Sequence, residues 1–221
     1  MSWRADAKRL LTALEETAGQ RERLVAASAL LLGARYRGNP LRGGPEKPER
    51  LVLALTSFDC VTFVEAALAL ALSRSAQEYR ARLIEIRYGG RPPRWEHRLH
   101  IWSHWLAAHE RRGLLQTVDP ARDATDTVRV LTLVPGIPRA SVRLRLHPWS
   151  GAIPAADLVA FASVRDDLDV YHAGLLAGPL LRHASRAEGG VIEEPLAAFL
   201  SRERGAGLLL ARLRGGVDWR S

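Results

Sequence analysis

The segment that begins at Cys60 constrains the fold more than any other part of the chain. The residues after the cysteine, VTFVEAALALALS, are almost wholly apolar and include many good helix formers. A helix that is apolar on nearly all sides is buried in the middle of a domain, because no side of it can face water. Ser57 or Asp59 could cap its first turn. The sequence therefore predicts a central buried helix that starts at the only cysteine of the chain.

The N-terminal part of the chain predicts further helices. Amphipathic spacing predicts one helix over residues 4–18 and a second over residues 21–33, which Gly33 ends as a C-terminal cap. The segment that follows, RYRGNPLRGGPEKPER, is rich in glycine and proline and predicts a loop. Beyond the central helix, residues 76–87 predict another helix, and HRLHIWSHWLAAHERRGLL predicts helical or mixed structure.

The character of the sequence changes after about residue 117. TVRVLTLVP and SVRLRLHPW alternate apolar and polar residues, as half-buried strands do, and DLVAFAS, VYHAGLLAG and LLRHASR follow at short intervals. The last segment, PLAAFLSRERGAGLLLARLR, predicts helix or mixed structure. Helices followed by antiparallel strands predict an α+β fold. We expect a single domain over residues 1–221, with N-terminal helices over residues 1–34 and the core over residues 35–221.

The position of Cys60 at a helix start suits a nucleophile. A helix N-terminus presents N–H groups without intrahelical acceptors and a partial positive charge, which favours a thiolate over a thiol. The same N–H groups can hold a developing oxyanion. The alternative is that Cys60 is a small buried core residue, as cysteines outside disulfides often are.

The predicted strands supply candidate bases for such a thiol. His172 lies in DVYHAGLLAG, which suggests a central strand, and His183 lies in LLRHAS on the next strand. An antiparallel pair joined at the Gly-Pro turn can place both imidazoles on one face, so that one acts as a base and the other orients it. Each histidine could instead be a structural residue bonded to backbone carbonyls.

Taken together, these motifs resemble a known family. A cysteine on a buried helix, a histidine on a strand and a polar residue on the next strand occur in the same order as in papain-like hydrolases. FDCVTFVEAALAL, IPAADLVAF, DVYHAGLL and LLRHAS resemble the NlpC-type cell-wall peptidase superfamily, and within it the N-acetylmuramoyl-L-alanine amidase-like branch, domain-of-unknown-function family 1460. LGARY and RLHIWSHW are similar to further motifs of that branch, and the resemblance runs from about Leu32 to Ser185.

The resemblance implies a papain-like NlpC-type fold, with N-terminal helices packed against an antiparallel sheet and the nucleophile at a helix N-terminus. It implies Cys60 as nucleophile, His172 as general base and then acid, and His183 as the group that orients the base. It also implies that Tyr36 lines the site near the oxyanion or the substrate amine. Asp59 matches an acidic position that could contact a substrate amine, and helix capping is an equal alternative for it.

Two positions depart from the pattern of that family. Ala156 stands where the family has a turn glycine, directly before Asp157, for which we expect a structural role. Arg186 follows Ser185, whereas the family motif HASS has a second serine there. The departures concern the expected substrate more than the expected chemistry.

The function that the resemblance implies is that of a cysteine amidase or peptidase. Its expected substrate is peptidoglycan or a muropeptide, cut through a thioester either at the lactyl–L-alanine amide or between D-glutamate and the diamino acid. No cofactor and no metal are expected, although His97, His100 and His104 would share one face if they lay on one helix. The alternatives are an acyl or peptidyl transferase on the same fold, and a catalytically silent module that binds the cell wall.

The charge of the chain bears on its partners. The net charge is +8 and the pI is about 10.6, which suits an anionic partner or reflects a genomic base bias towards arginine codons. All but Lys8 and Lys47 of the 32 basic residues are arginines, and they are scattered, so no nucleic acid partner is expected. No apolar run is long enough for stable membrane insertion. The family implies a periplasmic or secreted protein, whereas the absence of a signal-peptide pattern allows a cytoplasmic one, and the oligomeric state stays open.

Overall fold

A computed structural model describes residues 2–120, 124–131 and 140–215. Within this part of the chain there are six α-helices and one short 3-10 helix, Trp95–His97. The α-helices are α1 (Trp3–Thr12), α2 (Gln20–Leu30), α3 (Cys60–Ala71), α4 (Ala76–Tyr88), α5 (Trp102–Arg111) and α6 (Leu196–Arg202). Among the described residues, no helix has the length and apolar character needed to cross a membrane.

Twelve strands are described in the same residues, most of them short. They are β1 (Arg35–Tyr36), β2 (Arg42–Gly44), β3 (Lys47–Arg50), β4 (Ser57–Phe58), β5 (Leu115–Thr117), β6 (Thr125–Leu131), β7 (Ala140–Leu146), β8 (Leu158–Ala162), β9 (Val170–Ala177), β10 (Leu180–Ser185), β11 (Gly190–Pro195) and β12 (Gly207–Leu213). The chain divides into two compact units, of which the first holds residues 2–98 and 182–193 and the second holds residues 99–181 and 194–215.

The first unit is built around α3. Helix α3 is buried at every position from Thr62 to Ala71, and it contacts α1, α2 and α4. The C-terminal end of α3 is held by the buried side chain of Arg23 on α2, whose guanidinium donates to the carbonyl of Ala71 at 2.8 Å and to that of Ser73 at 2.6 Å. These bonds satisfy carbonyls that the end of a helix leaves without intrahelical donors.

The strands of the first unit lie in the order β4, β1, β11, β10. β1 runs parallel to β4, with Tyr36 opposite Phe58, and antiparallel to β11. Because β4 ends one residue before the N-cap of α3, this pairing holds the end of β1 next to the start of the helix. β2 and β3 form a separate hairpin.

The second unit contains an antiparallel sheet in the order β9, β8, β12, β5, and the hairpin of β6 and β7. All five residues of β8 are buried. Asp157, directly before β8, accepts a hydrogen bond from the backbone N–H of Leu213 on β12 at 2.8 Å, which agrees with its expected structural role. Helix α6 packs into an apolar core that includes Phe161, Leu181 and Phe199.

The predicted α+β class is confirmed, and so are α2, α4 and the buried helix that starts at Cys60. The predicted end of α2 is wrong, because the helix ends at Leu30 and its C-cap is Leu31, not Gly33. Strands lie where TVRVL, SVRLRL, LVAFA, VYHAGLLA and LLRHAS predicted them, and the C-terminal segment is mixed, with α6 followed by β12. The residues TLVP at 132–135 of the first of these motifs lie outside the described residues.

Two sequence predictions about the N-terminal half are wrong. The helix predicted over residues 4–18 ends at Thr12, and the carbonyl of Leu14 accepts from the Arg23 guanidinium. The glycine- and proline-rich loop contains β1, β2 and β3, because its backbone pairs with segments far along the chain or within its own hairpin. The antiparallel sheet is therefore not confined to the C-terminal half.

Candidate active site

Cys60 is the first residue of α3 and is half-buried. Asp59 is the N-cap, and its carboxylate accepts from the backbone N–H of Thr62 at 2.8 Å and from the Thr62 hydroxyl at 2.7 Å. The Thr62 hydroxyl oxygen in turn accepts from the Asp59 backbone N–H at 3.0 Å, which completes a capping box. The first intrahelical bond runs from Phe63 N–H to the Asp59 carbonyl. The N–H of Cys60 therefore belongs to the first turn, where the helix dipole favours negative charge.

Tyr36 lies beside this helix start. Its neighbour Arg37 donates a backbone bond to the Phe58 carbonyl at 2.8 Å, two residues before the cysteine. Partial burial, followed by the negative charges of Cys60 and Asp59, raises the pKa of the Tyr36 phenol above its usual value. The phenol is therefore a neutral O–H donor at physiological pH, within electrostatic range of the sulfur. The structure thus brings together three of the predicted site residues, Tyr36, Asp59 and Cys60.

His172 lies in the second unit, on β9, opposite Phe161 of β8. Its ring is half-buried and packs nearly parallel to two phenylalanine rings, with centroid distances of 5.8 Å to Phe161 and 5.5 Å to Phe199. Phe161 and Phe199 themselves lie 4.4 Å apart. The imidazole is therefore packed against an aromatic cluster, which restricts its rotation.

The aromatic cluster is tied together by Trp149. Its ring lies 5.9 Å from that of Phe161, and its indole N–H donates to the carbonyl of Leu200 on α6 at 3.0 Å. A Cβ atom at Gly205 would lie 2.1 Å from the indole, so only glycine leaves room for Trp149 there. Sequence reasoning missed this cluster, because its members are far apart in the chain: Trp149 and Leu200, for example, are separated by 51 positions.

His183 lies on β10 and is buried. The turn that follows β10 is closed by the Ser185 hydroxyl, which accepts from Glu188 N–H at 3.2 Å, and by the Arg186 carbonyl, which accepts from Gly189 N–H at 3.3 Å. The carbonyl of Gly189 accepts from Tyr36 N–H at 2.7 Å. Arg186 therefore belongs to a turn that is bonded directly to β1.

A buried ion pair also fixes the position of the helix that carries Cys60. Glu65 of α3 and Arg87 of α4 form a buried ion pair at 2.8 Å, and Arg87 also donates to the Val52 carbonyl at 2.9 Å. A buried pair of this kind fixes the rotation of α3, because either partner alone would be an uncompensated buried charge. Glu65 is the acidic residue of the FDC-TFVE motif.

The histidines with metal-like spacing are not on one helix. His97 ends the 3-10 helix, His100 precedes α5 and His104 lies within α5. The start of α5 is set by Asp169, whose carboxylate accepts from Ser103 N–H at 2.7 Å. In the described ranges, no group of three or more histidine, cysteine, aspartate and glutamate side chains is placed to hold a metal ion.

The fold is shared with solved structures. An N-acetylmuramoyl-L-alanine amidase from Bacteroides uniformis superimposes with a TM-score of 0.75 at 22% identity, covering 88% of this chain and 99% of the other. A protein of the DUF1460 family from Legionella pneumophila has a TM-score of 0.80 at 18% identity, covering 96% of this chain and 95% of the other. At these identities the likeness establishes the fold alone.

The family comparison agrees with the sequence motifs. Residues 26–133 match the model of the AmiA-like family, described as N-acetylmuramoyl-L-alanine amidase-like. The matched range includes Tyr36, Asp59 and Cys60, and it ends before His172 and His183. No curated protein matches the chain. These findings support the amidase-like family that the sequence resembles.

Proposed function

We propose that the protein is a cysteine hydrolase that cleaves an amide bond in the stem peptide of peptidoglycan. The observation that carries this proposal is the position of Cys60, at the start of a buried and capped helix with a neutral tyrosine phenol in electrostatic range. The match to the amidase-like family supports the proposed bond and substrate class, because that family's description refers to the amide between N-acetylmuramate and L-alanine. The second bond considered is that between D-glutamate and the diamino acid.

In the proposed mechanism, His172 takes the proton of the Cys60 thiol and the thiolate attacks the amide carbonyl. The oxyanion receives hydrogen bonds from the Cys60 backbone N–H and the Tyr36 hydroxyl. The tetrahedral intermediate collapses, the C–N bond breaks, and His172 protonates the leaving amine. His172 then deprotonates a water that attacks the thioester, which releases the carboxylate product and restores the thiol.

Three further assignments belong to the same proposal. His183 orients His172, and the fold is the papain-like, NlpC-type arrangement that the motifs resemble. The chain forms one domain, which is supported by its path, because neither compact unit is a continuous stretch of sequence. A cofactor has no place in this mechanism, since thiol, imidazole and hydroxyl groups supply every step.

The test is incubation of the purified protein with defined muropeptides, followed by mass spectrometry. Hydrolysis adds one water across the cut bond, and the product masses identify which amide was broken. Cys60→Ala should abolish turnover while its circular dichroism and unfolding midpoint stay close to those of the parent. A product that carries an added amine or alcohol would instead favour a transferase, and tight binding without any product would favour a silent wall-binding module.

The reactivity of the thiol provides a second, substrate-free test. The helix N-terminus favours the thiolate, so iodoacetamide should alkylate Cys60 faster than it alkylates a small-molecule thiol near pH 6.5. Peptide mass spectrometry follows the labelling rate, with His172→Gln as the comparison variant. Labelling no faster than that of a buried inert thiol would contradict the proposed nucleophile.

A further inference from the structure

Arg186 lies near the candidate site and has no carboxylate partner among the residues that the structure describes. Its side chain is exposed, and among residues 2–120, 124–131 and 140–215 no carboxylate oxygen lies within 4.0 Å of its guanidinium. Some other arginines of the first unit are paired, as Arg98 is with Glu49 and Arg182 is with Glu193. An uncompensated arginine at a candidate site is suited to bind an anion.

The backbone determines where this charge lies. Tyr36 stands between two neighbours, Phe58 of β4 on one side and the Gly189 carbonyl, which Tyr36 N–H contacts at 2.7 Å, on the other. Adjacent strands are about 4.8 Å apart, so the turn that carries Arg186 lies roughly 10 Å from the strand that leads into Cys60. The turn is closed by its own bonds at Ser185 and Gly189, which limits how far it can move.

The electrostatics agree with this placement. The pKa of Tyr36 is raised by burial and by the charges of Cys60 and Asp59, and the guanidinium of Arg186 opposes that rise. Arg186 is therefore within electrostatic range of the Tyr36 phenol, as Cys60 also is. A long, flexible arginine at this distance can reach a substrate group one residue away from the amide under attack.

We infer that Arg186 is a specificity-determining residue that binds a carboxylate of the substrate next to the scissile amide. This inference rests on the proposed function, and it selects the α-carboxylate of the D-glutamate residue, which lies within one residue of either candidate bond. The guanidinium fork can hold that carboxylate through two N–H bonds, whereas a primary carboxamide at the same position would offer one neutral acceptor. The protein should therefore discriminate against peptides in which this carboxylate is amidated.

The experiment uses two synthetic muropeptides that differ only in this group, one with the free α-carboxylate and one with the carboxamide. We expect the parent protein to prefer the carboxylate peptide by about tenfold in kcat/KM, which is the lower range for a hydrogen bond to a charged group. Arg186→Gln should reduce the preference to less than about twofold by losing activity on the carboxylate peptide alone, and Arg186→Lys should keep part of it. A preference that Arg186→Gln leaves unchanged would overturn the inference.

Arg35→Gln is the matched control. It removes the same charge from the residue before Tyr36, and the alternation of a strand directs its side chain to the opposite face. We expect this variant to keep the preference of the parent. Equal loss of preference in both variants would mean that general positive charge, and not Arg186, attracts the peptide.

Failure of the inference can be separated from failure of the proposed function. Calorimetric binding of both peptides to Cys60→Ala measures discrimination without turnover. If the parent cleaves neither peptide but Cys60→Ala binds the carboxylate form more tightly in an Arg186-dependent way, the hydrolase proposal fails and the binding site stands. If the parent cleaves both peptides equally, the hydrolase proposal stands and the inference fails.

Discussion

Asp59 has two predicted roles, capping of α3 and contact with a substrate amine, and a pair of substitutions separates them. Asp59→Ala removes the oxygen that accepts from the Thr62 N–H at 2.8 Å and from the Thr62 hydroxyl at 2.7 Å. Asp59→Asn keeps an oxygen that can accept both bonds and removes only the negative charge. If Asp59 caps the helix, only Asp59→Ala should lose much stability. If Asp59 binds a cationic substrate amine, both variants should lose activity, because both lack the negative charge.

The magnitudes follow from the capping geometry. Loss of an N-cap side chain costs about 1 kcal/mol, within a range of roughly 0.5–2 kcal/mol. Loss of the favourable charge at the helix N-terminus costs about 0.3–1 kcal/mol more. We expect Asp59→Ala to lower the free energy of unfolding by about 1–2 kcal/mol and Asp59→Asn by less than about 1 kcal/mol. For a chain of this size, 1 kcal/mol corresponds to a change in Tm of about 2–4 °C.

Equilibrium unfolding in urea measures the stability of each variant, and kcat/KM on one muropeptide measures its activity. Thr62→Val is the structural control, because it removes the hydroxyl that accepts from Asp59 N–H at 3.0 Å but keeps the carboxylate. If Asp59→Asn loses as much stability as Asp59→Ala, the capping argument is refuted. If Asp59→Asn keeps both stability and kcat/KM, Asp59 only caps the helix and does not bind a substrate amine.

Three further substitutions test other parts of the structure. Tyr36→Phe should lower kcat by about 100-fold with little change in KM, as for loss of an oxyanion donor. Because the pKa of the phenol is raised, the parent should keep this donor to a higher pH than an unperturbed tyrosine would. Phe199→Leu should lower kcat about tenfold, and in the proton NMR spectrum it should remove the ring-current shift of His172, whose ring lies 5.5 Å away. Arg23→Met should lower the free energy of unfolding by about 2–4 kcal/mol in urea denaturation, because it leaves buried carbonyls without donors. An unchanged kcat in Tyr36→Phe, an unchanged His172 spectrum in Phe199→Leu, or an unchanged unfolding midpoint in Arg23→Met would contradict the corresponding expectation.

The start of α3 could be predicted from local sequence because every determinant is local. The capping residue Asp59, its partner Thr62 and the apolar run that follows lie within a few residues of one another. The strand that carries His172 was predictable for a similar reason, because its apolar character extends over consecutive residues. By contrast, β1 is only two residues long, and its partners Gly190 and Ser57 are distant in sequence, so no local pattern indicates it.

The same contrast explains why His97, His100 and His104 do not share one helical face. A spacing of three and four residues predicts one helical face only if the helix is continuous. Here Arg98, between His97 and His100, has extended backbone angles and bonds to Glu49, 49 residues earlier in the chain. The bond to Glu49 thus stabilises an extended backbone at Arg98, where the helical pattern would otherwise have continued.

The parts of the candidate site differ in what holds them, and this predicts how each responds to substitution. Cys60, the proposed nucleophile, is held by bonds along its own helix and by the buried pair of Glu65 and Arg87, so conservative changes in nearby loops should leave it in place. The imidazole of His172 is held by aromatic packing against Phe161 and Phe199, which has no directional bonds and depends on filled volume. Loss of ring volume at that cluster should therefore lower kcat before it lowers the free energy of unfolding. Loss of Glu65 or Arg87 should lower both together.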